Sequence, residues 1–354
     1  MGTVLATIFV LGVLIFVHEL GHFLVAKAVG IRVEKFSLGF PPKLFGFKKG
    51  DTEYCISVIP LGGYVKMAGE NPDESEVTGA PDEFMSKTPL QRAAVIFAGP
   101  FMNYVTAFLI YFGLYSIQGV PTVDNSQFVI GGVAENAPAE QAGLQEGDVI
   151  LSVDGSAITS LYDLSSIVSE KPGEEVSVEY RRGDQVSSVS LVTKVDTVLN
   201  AEGGKEPVGL LGVLQNVWYE RPGFFSSVAL GAQRTWEMTV LVCDFFYRLV
   251  TLQMSPKLIG GPVFIAKFSG EAAKQGASTL LYFIAMLSVN LAIINVLPIP
   301  VLDGGHLMFL VIERIRKKPL SLKQRAAIQQ VGLAFLLVMI VFVTYNDIVR
   351  WLSW

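Results

Sequence analysis

The stretch that decides the reading is Leu11–Gly30, LGVLIFVHELGHFLVAKAVG, in which His18, Glu19 and His22 sit inside an otherwise apolar run. About 20 mostly apolar residues are enough to cross a bilayer as a helix, and this run extends that far on its own. Ionisable groups are costly at such a depth and usually mark function. On a helix, His18 and His22 are about 40° apart on one face and one turn along it. Two imidazoles so placed can share one tetrahedral zinc. Glu19 lies one residue round, where it reaches a zinc-bound water rather than the metal, and can take its proton and pass it to a leaving amine. A metal site with open chemistry needs a third protein ligand, which the rest of the chain must supply.

Composition fits a membrane setting. Of 354 residues, 51% are hydrophobic and 17% charged, against about 25% charged in ordinary soluble domains. Net charge is −5 with no basic tract, which gives no support for a nucleic-acid partner. Cys55 and Cys243 stand far apart in unrelated contexts and read as free thiols.

The periodicity and length of the apolar runs predict a multi-pass α-helical membrane protein with about four transmembrane helices. These are residues 1–30, carrying HExxH; 92–119; 277–306, which ends in prolines; and 326–352. The N-terminus lacks the basic flank and small-residue cleavage site of a signal peptide, and reads as a retained helix. Between the first two helices, residues 31–91 form a loop whose EYCISVIPLGGYVKM (Glu53–Met67) predicts strand, turn at Pro60–Gly63 and strand. Its apolar exposed face predicts a membrane-associated β-hairpin. AGENPDESEVTGAPDEF (Ala68–Phe84) is acidic and rich in turn residues, and reads as mobile. Residues 223–252 are apolar but carry Arg234, Glu237, Asp244 and Arg248, which fall within an arc of about 80° on a helical wheel. That single polar stripe predicts an amphipathic helix at the interface or docked on the bundle, not a fifth span.

The charges orient these helices. The loop after the first helix holds Lys27, Arg32, Lys35, Lys43, Lys48, Lys49 and Lys66, and the loop before the last holds Arg314, Arg316, Lys317, Lys318, Lys323 and Arg325. Residues 120–222 hold 16 Asp/Glu against 6 Lys/Arg, a net of −10. The positive-inside rule puts both basic loops in the cytoplasm and the acidic region and both termini outside. His18 then lies nearer the cytoplasmic end of its helix, where a polar cavity can admit water.

The candidate third ligand lies in NVLPIPVLDGGHL (Asn295–Leu307). Pro298 and Pro300 end a helix, since neither donates and each biases its predecessor to extended backbone. Gly304 and Gly305 permit close backbone approach, freeing Asp303 to face a metal. His306, the one remaining histidine, is the rival. Asn295, and secondarily Asn290, can donate to a carbonyl oxygen as charge develops on it.

Residues 123–217 read as one inserted β-rich domain. FVIGGVAENAPAEQAGLQEGDVILSVDG (Phe128–Gly155) predicts a strand, a short helix opened at Pro138, a turn at Gly147–Asp148 and a second strand. EEVSVEYRRGDQVSSVSLVTKV (Glu174–Val195) predicts a hairpin around Arg182–Gly183–Asp184.

Two resemblances follow from these motifs. APAEQAGLQEGDVILSVDG (Ala137–Gly155) resembles a PDZ domain of the bacterial protease type, with VGLLGV (Val208–Val213) similar to its carboxylate-binding loop strand, here at the end of the domain. A PDZ domain binds extended peptides or chain ends by strand addition; blocking access sterically is the alternative reading. HExxH in the first helix, FAGPFMN (Phe97–Asn103), GGPVFIAK (Gly260–Lys267) and SVNLAIINVLPIPVLDGGHL (Ser288–Leu307) together resemble the site-2 protease family of intramembrane zinc metalloproteases, of the bacterial regulator-of-sigma-E protease type. That resemblance implies zinc on His18, His22 and Asp303, Glu19 as general base and Asn295 at the substrate. It implies cleavage of single-span membrane proteins, such as an anti-sigma factor or remnant signal peptides, and a place in the bacterial inner (cytoplasmic) membrane with the PDZ domain periplasmic. Long members carry two PDZ domains in tandem, whereas this chain has room for one. The hairpin around Tyr54–Met67, with Gly62, Gly63 and Tyr64, is the candidate strand for pairing with an extended substrate. A membrane-anchored peptidase of ordinary extended chains, with its third ligand from a downstream Glu or His, is the competing enzyme reading; a non-catalytic PDZ scaffold is the non-enzyme one.

Overall fold

The computed structural model describes residues 2–70, 78–200, 202–318 and 320–352. The central part of the acidic stretch expected to be mobile, residues 71–77, lies outside them. The chain divides into two compact units, residues 1–113, 225–247 and 259–354 in one and residues 114–224 and 248–258 in the other.

Helix α1 (Thr3–Ala28) is apolar all round apart from His18, Glu19, His22 and the terminal Lys27, as suits a helix within a bilayer or core. It is followed by strands β1 (Val33–Lys49) and β2 (Thr52–Met67). The sequence predicts a turn at Pro60–Gly63; the backbone of β2 stays strand-like there, yet the chain does reverse direction across it. The reason lies in the register. Lys35–Leu38 pairs in parallel with Glu53–Ile56 along one edge and antiparallel with Gly63–Lys66 along the other, so β2 reverses between Ile56 and Gly63 and passes from one side of β1 to the other. Strand-like backbone is kept throughout because β1 shifts register with it. The inner half of this sheet is held by Val33, Phe36, Val65 and Met67, packed with Ala26 of α1, Ile31 just after it, Phe84 and Val95. The outer half presents Leu44, Phe45, Phe47, Ile56 and Val58 to the exterior, an apolar patch of the kind that meets a membrane or partner.

Helix α2 (Pro89–Ile117) crosses α1 closely. A Cβ on Gly21, the glycine inside HELGH, would lie 2.2 Å from the Ala98 carbonyl oxygen, so glycine is what lets the helices approach.

Strand β3 (Val120–Thr122) opens the second unit and pairs with its last strand, β12 (Trp218–Glu220). Between them run β4 (Phe128–Val133), α3 (Pro138–Gln141), β5 (Val149–Val153), β6 (Ser156–Ala157), α4 (Leu161–Val168), β7 (Glu175–Arg182), β8 (Gln185–Val192), β9 (Lys194–Leu199), β10 (Lys205–Leu210) and β11 (Val213–Gln215). The main sheet has the order β11-β4-β5-β7-β8, with β6 on β5, and β9 and β10 form a separate ribbon. Alternation does the work here. Val176 and Val178 of β7 point inward with Phe128 and Ile130 of β4, onto Leu164 and Val168 of α4. Helix α4 starts at a capping box, in which Ser160 and Asp163 satisfy each other's backbone N–H. The strand, helix, turn and hairpin expected at Phe128–Gly155 and Glu174–Val195 are all present. Within VGLLGV, Val208–Leu210 belongs to β10 and Val213 to β11, with Gly212 turning between them at φ +79°.

Helix α5 (Phe224–Val250) buries Ser227, Gly231, Thr235, Met238 and Val242, spaced three or four residues apart. Gly231 packs against the backbone of Phe112 in α2, and the four predicted polar residues are exposed. Helix α6 (Pro262–Gln275) lies against α1, where a Cβ on Gly270 would be 2.5 Å from Thr3 Oγ1. Its free N-terminal donors are capped from another helix: Asp347 accepts N–H bonds from Gly261 and Phe264 at 2.9–3.1 Å.

Helix α7 (Ala277–Val296) stops just before the prolines expected to end it, so the rest of the 277–306 segment is not part of that helix, and α8 (Asp303–Arg316) starts afresh at Asp303. Pro298 and Pro300 cannot donate to a continuing helix, so a non-helical segment separates the two. Helix α9 (Leu322–Leu352) completes the chain. Among the described residues four helices are long and apolar enough to cross a membrane, lying in α1, α2, α7 and α9.

Candidate active site

Two elements from distant parts of the chain supply one cluster of three residues. His18 and His22 come from α1 at the expected spacing, and Asp303 is the first residue of α8. His18 Nε2 lies 3.2 Å from His22 Nε2 and 3.2 Å from Asp303 Oδ2, and His22 Nε2 lies 3.5 Å from the same oxygen. Asp303 Oδ2 is buried and has no hydrogen bond. Ligand arms of about 2.05 Å in a tetrahedron put the ligand atoms about 3.3 Å apart. The observed triangle matches one face of it, and a buried oxygen without a donor is what a cation would satisfy. The residues present therefore fit zinc.

The backbone that presents Asp303 is tightly built. A Cβ on Gly304 would lie 2.1 Å from the Leu297 carbonyl oxygen, and one on Gly305 would lie 2.5 Å from that of Ile299. Both glycines are thus required by close approach, as the sequence suggests. Val301 holds φ +83°, a strained conformation for a β-branched residue, and lines the same cavity as the cluster.

That cavity, about 620 Å³, is lined by His18, Glu19, His22, Gly63, Tyr64, Asn295, Asp303 and His306, with Arg92, Glu313 and Arg325 further along. Of the predicted substrate residues, Gly63, Tyr64 and Asn295 reach it. Gly62 packs instead against the Phe40 ring. Asn290 donates to the Met286 carbonyl of its own helix at 2.9 Å. Neither is among the residues that line the cavity. His306 lines it, but its ring sits edge-on to Phe309, outside the His18–His22–Asp303 group.

Three features of α2 went unassigned in the sequence. The Val95 carbonyl accepts from His22 Nδ1–H at 2.8 Å. Gly99 leaves space for both imidazoles, since a Cβ there would lie 2.3 Å from His22 Nε2 and 2.8 Å from His18 Cε1. Asn103 places its amide 3.2 Å from His18 Nδ1. The 95–99–103 spacing is the signal, one residue per helical turn on one face, and FAGPFMN holds two of the three.

Fold and cluster define a membrane-spanning protein with a built site for a catalytic metal. The pattern of peptidase family M50 matches residues 6–339, and the chain belongs to that family. It is similar along its whole length to the regulator of sigma-W protease RasP of Bacillus subtilis (34% identical, 99% of each chain covered) and to the zinc metalloprotease RasP of Oceanobacillus iheyensis (33%, 99% of each). A chain of Clostridium perfringens is 40% identical over 95% of each. The protein is thus a zinc metalloprotease, as the HExxH motif leads one to expect. Among solved structures, the PDZ domain of an SdrC-like protein from Listeria monocytogenes matches 27% of this chain and 93% of its own, at 23% identity and a TM-score of 0.20.

Proposed function

We propose that the protein cuts peptide bonds within the membrane-spanning segments of single-span membrane proteins, with zinc held by His18, His22 and Asp303. The observation that carries this reading is the matched triangle of one orphaned carboxylate oxygen, at the start of α8, with two imidazole nitrogens on a helix apolar enough to span a bilayer. Zinc bound there supplies Lewis acidity and makes a water acidic enough to lose its proton near neutral pH. Glu19, on the same cavity, is the base that takes that proton and returns it to the leaving amine. Asn295, only 9% exposed on that cavity, donates to the scissile carbonyl oxygen as charge builds on it.

A helical substrate has its backbone bonds satisfied internally and must become extended before it is cut. Gly63–Met67 offers a partner. Its inner edge pairs with Val33–Leu38, and among the described residues no strand pairs with its outer edge. Gly63 is seated against Glu19, a Cβ there lying 3.0 Å from Glu19 Cγ. Strand addition on that edge holds the extended substrate beside the base.

The basic loops face the cytoplasm and the acidic β-rich unit lies outside, by the positive-inside rule. On this reading that unit is a PDZ domain that inspects or excludes substrates, and admits chains already shortened by another protease. The name of the Bacillus subtilis relative favours a membrane-anchored anti-sigma factor as substrate. The test uses purified full-length protein and a single-span substrate: wild type cleaves, while Glu19→Gln and chelator-treated protein do not. Equal cleavage by Glu19→Gln contradicts the proposal.

A further inference from the structure

Both imidazoles of the cluster are gripped from behind by the same face of α2, but the two grips differ. At His22 the chemistry is unambiguous. A backbone carbonyl can only accept, so Nδ1 carries the proton and Nε2 is bare. At His18 the partner is the Asn103 side chain, fully buried, with Nδ2 at 3.2 Å from His18 Nδ1 and Oδ1 without any hydrogen bond.

The two ends of a carboxamide have nearly the same shape, so which one faces His18 follows from the network. With Nδ2 donating, His18 Nδ1 is bare and its proton sits on Nε2. That proton points into the triangle shared with His22 Nε2 and Asp303 Oδ2. Turned half a revolution about its Cβ–Cγ bond, the amide places Oδ1 on His18 Nδ1–H. Oδ1 then has a donor, Nδ2 takes the position in which Oδ1 has no partner, and His18 Nε2 is bare like that of His22.

We propose that Asn103 is a positioning residue that holds His18 in the Nδ1–H form by accepting its proton, so that Nε2 is presented to zinc. The inference rests on His18 being a zinc ligand. Metal-bound histidines generally donate their other nitrogen to an oxygen, and losing that acceptor costs about 10–100-fold in metal affinity. Asn103 thereby acts without touching substrate or metal.

The experiment measures zinc affinity of the full-length protein in detergent by competition with a chelator. Asn103→Leu keeps the size and removes the acceptor; Asn103→Asp keeps an acceptor and removes the donor. We expect Asn103→Leu to bind zinc about 10–100-fold more weakly, and Asn103→Asp to bind at least as tightly as wild type. Weak binding by Asn103→Asp would show that the donor is what His18 needs and overturns the proposal, as does unchanged binding by Asn103→Leu. If Asn103→Leu does not fold, Asn103→Asp against wild type decides alone. His18→Ala run in parallel separates the premise: retention of zinc by that variant removes His18 from the ligand set, whatever Asn103 does.

Discussion

His18 Nε2 and Asp303 Oδ2 lie 3.2 Å apart, joining the first helix to a helix near the other end of the chain. The contact depends on two helix interruptions that look destabilising in isolation. The Pro298–Pro300 break ends α7, and Gly304–Gly305 lets α8 restart against the carbonyls that α7 leaves behind. Together they turn a carboxylate toward two imidazoles.

If Asp303 rather than His306 completes the metal site, the two variants separate cleanly. Asp303→Asn should lower zinc content well below one per chain, measured by elemental analysis of the purified protein. His306→Ala should leave it near wild type. Loss of zinc only in His306→Ala reverses the assignment.

Space behind the imidazoles is as necessary as the ligands. Gly99→Ala drives a methyl into His22 Nε2, and overpacking of this kind costs about 1–3 kcal/mol. We expect reduced zinc content together with a lower Tm. Gly113→Ala on the same helix meets nothing within 4 Å, and should leave both unchanged or raise Tm slightly, alanine being the better helix former.

How much of this could be read from the sequence depends on the range of the interaction. HExxH is a local pattern, and its i, i+4 geometry is fixed once the helix is. The four apolar helices, the β-rich insert and the glycines beside Asp303 were legible for the same reason. The full path of β2 was not: turn residues at Pro60–Gly63 announce the reversal, but that the two arms flank β1 on opposite edges is decided by tertiary packing of Phe36, Val65 and Met67. Nor was the role of α2. Val95 acts through its carbonyl and Gly99 through the absence of a side chain, and neither property is visible in residue type until the helices cross.

The β-rich unit carries an acid-sensitive pair. Arg182 donates to both oxygens of Asp148 at 2.7 Å, and the Gln145 N–H adds a bond at 2.8 Å. The Arg182 guanidinium, aided by that N–H, holds the Asp148 carboxyl below the usual carboxylate range. A depressed folded pKa stabilises the fold above the unfolded value of about 3.9 and loses that effect as pH falls below it. Asp148→Asn should therefore lower Tm at pH 7, by an amount equivalent to about 1–3 kcal/mol. The gap to wild type should shrink below about pH 4. A gap that is the same at both pH values would remove the pair as its cause.

If the β-rich unit screens substrates, deleting residues 123–217 should raise cleavage of an intact single-span substrate towards that of one shortened on its outer side. Unchanged preference for the shortened chain, measured by product ratio, would assign selection to the membrane-spanning part.

The most direct measurement locates the cut. Wild-type protein and a single-span substrate are reconstituted in lipid vesicles, and the products are weighed by mass spectrometry. A metal site on α1 and α8 with a strand edge beside Glu19 predicts a scissile bond inside the apolar spanning segment, and no product from Glu19→Gln. A cut confined to the substrate's water-exposed flanks, or one that persists in Glu19→Gln, would contradict it.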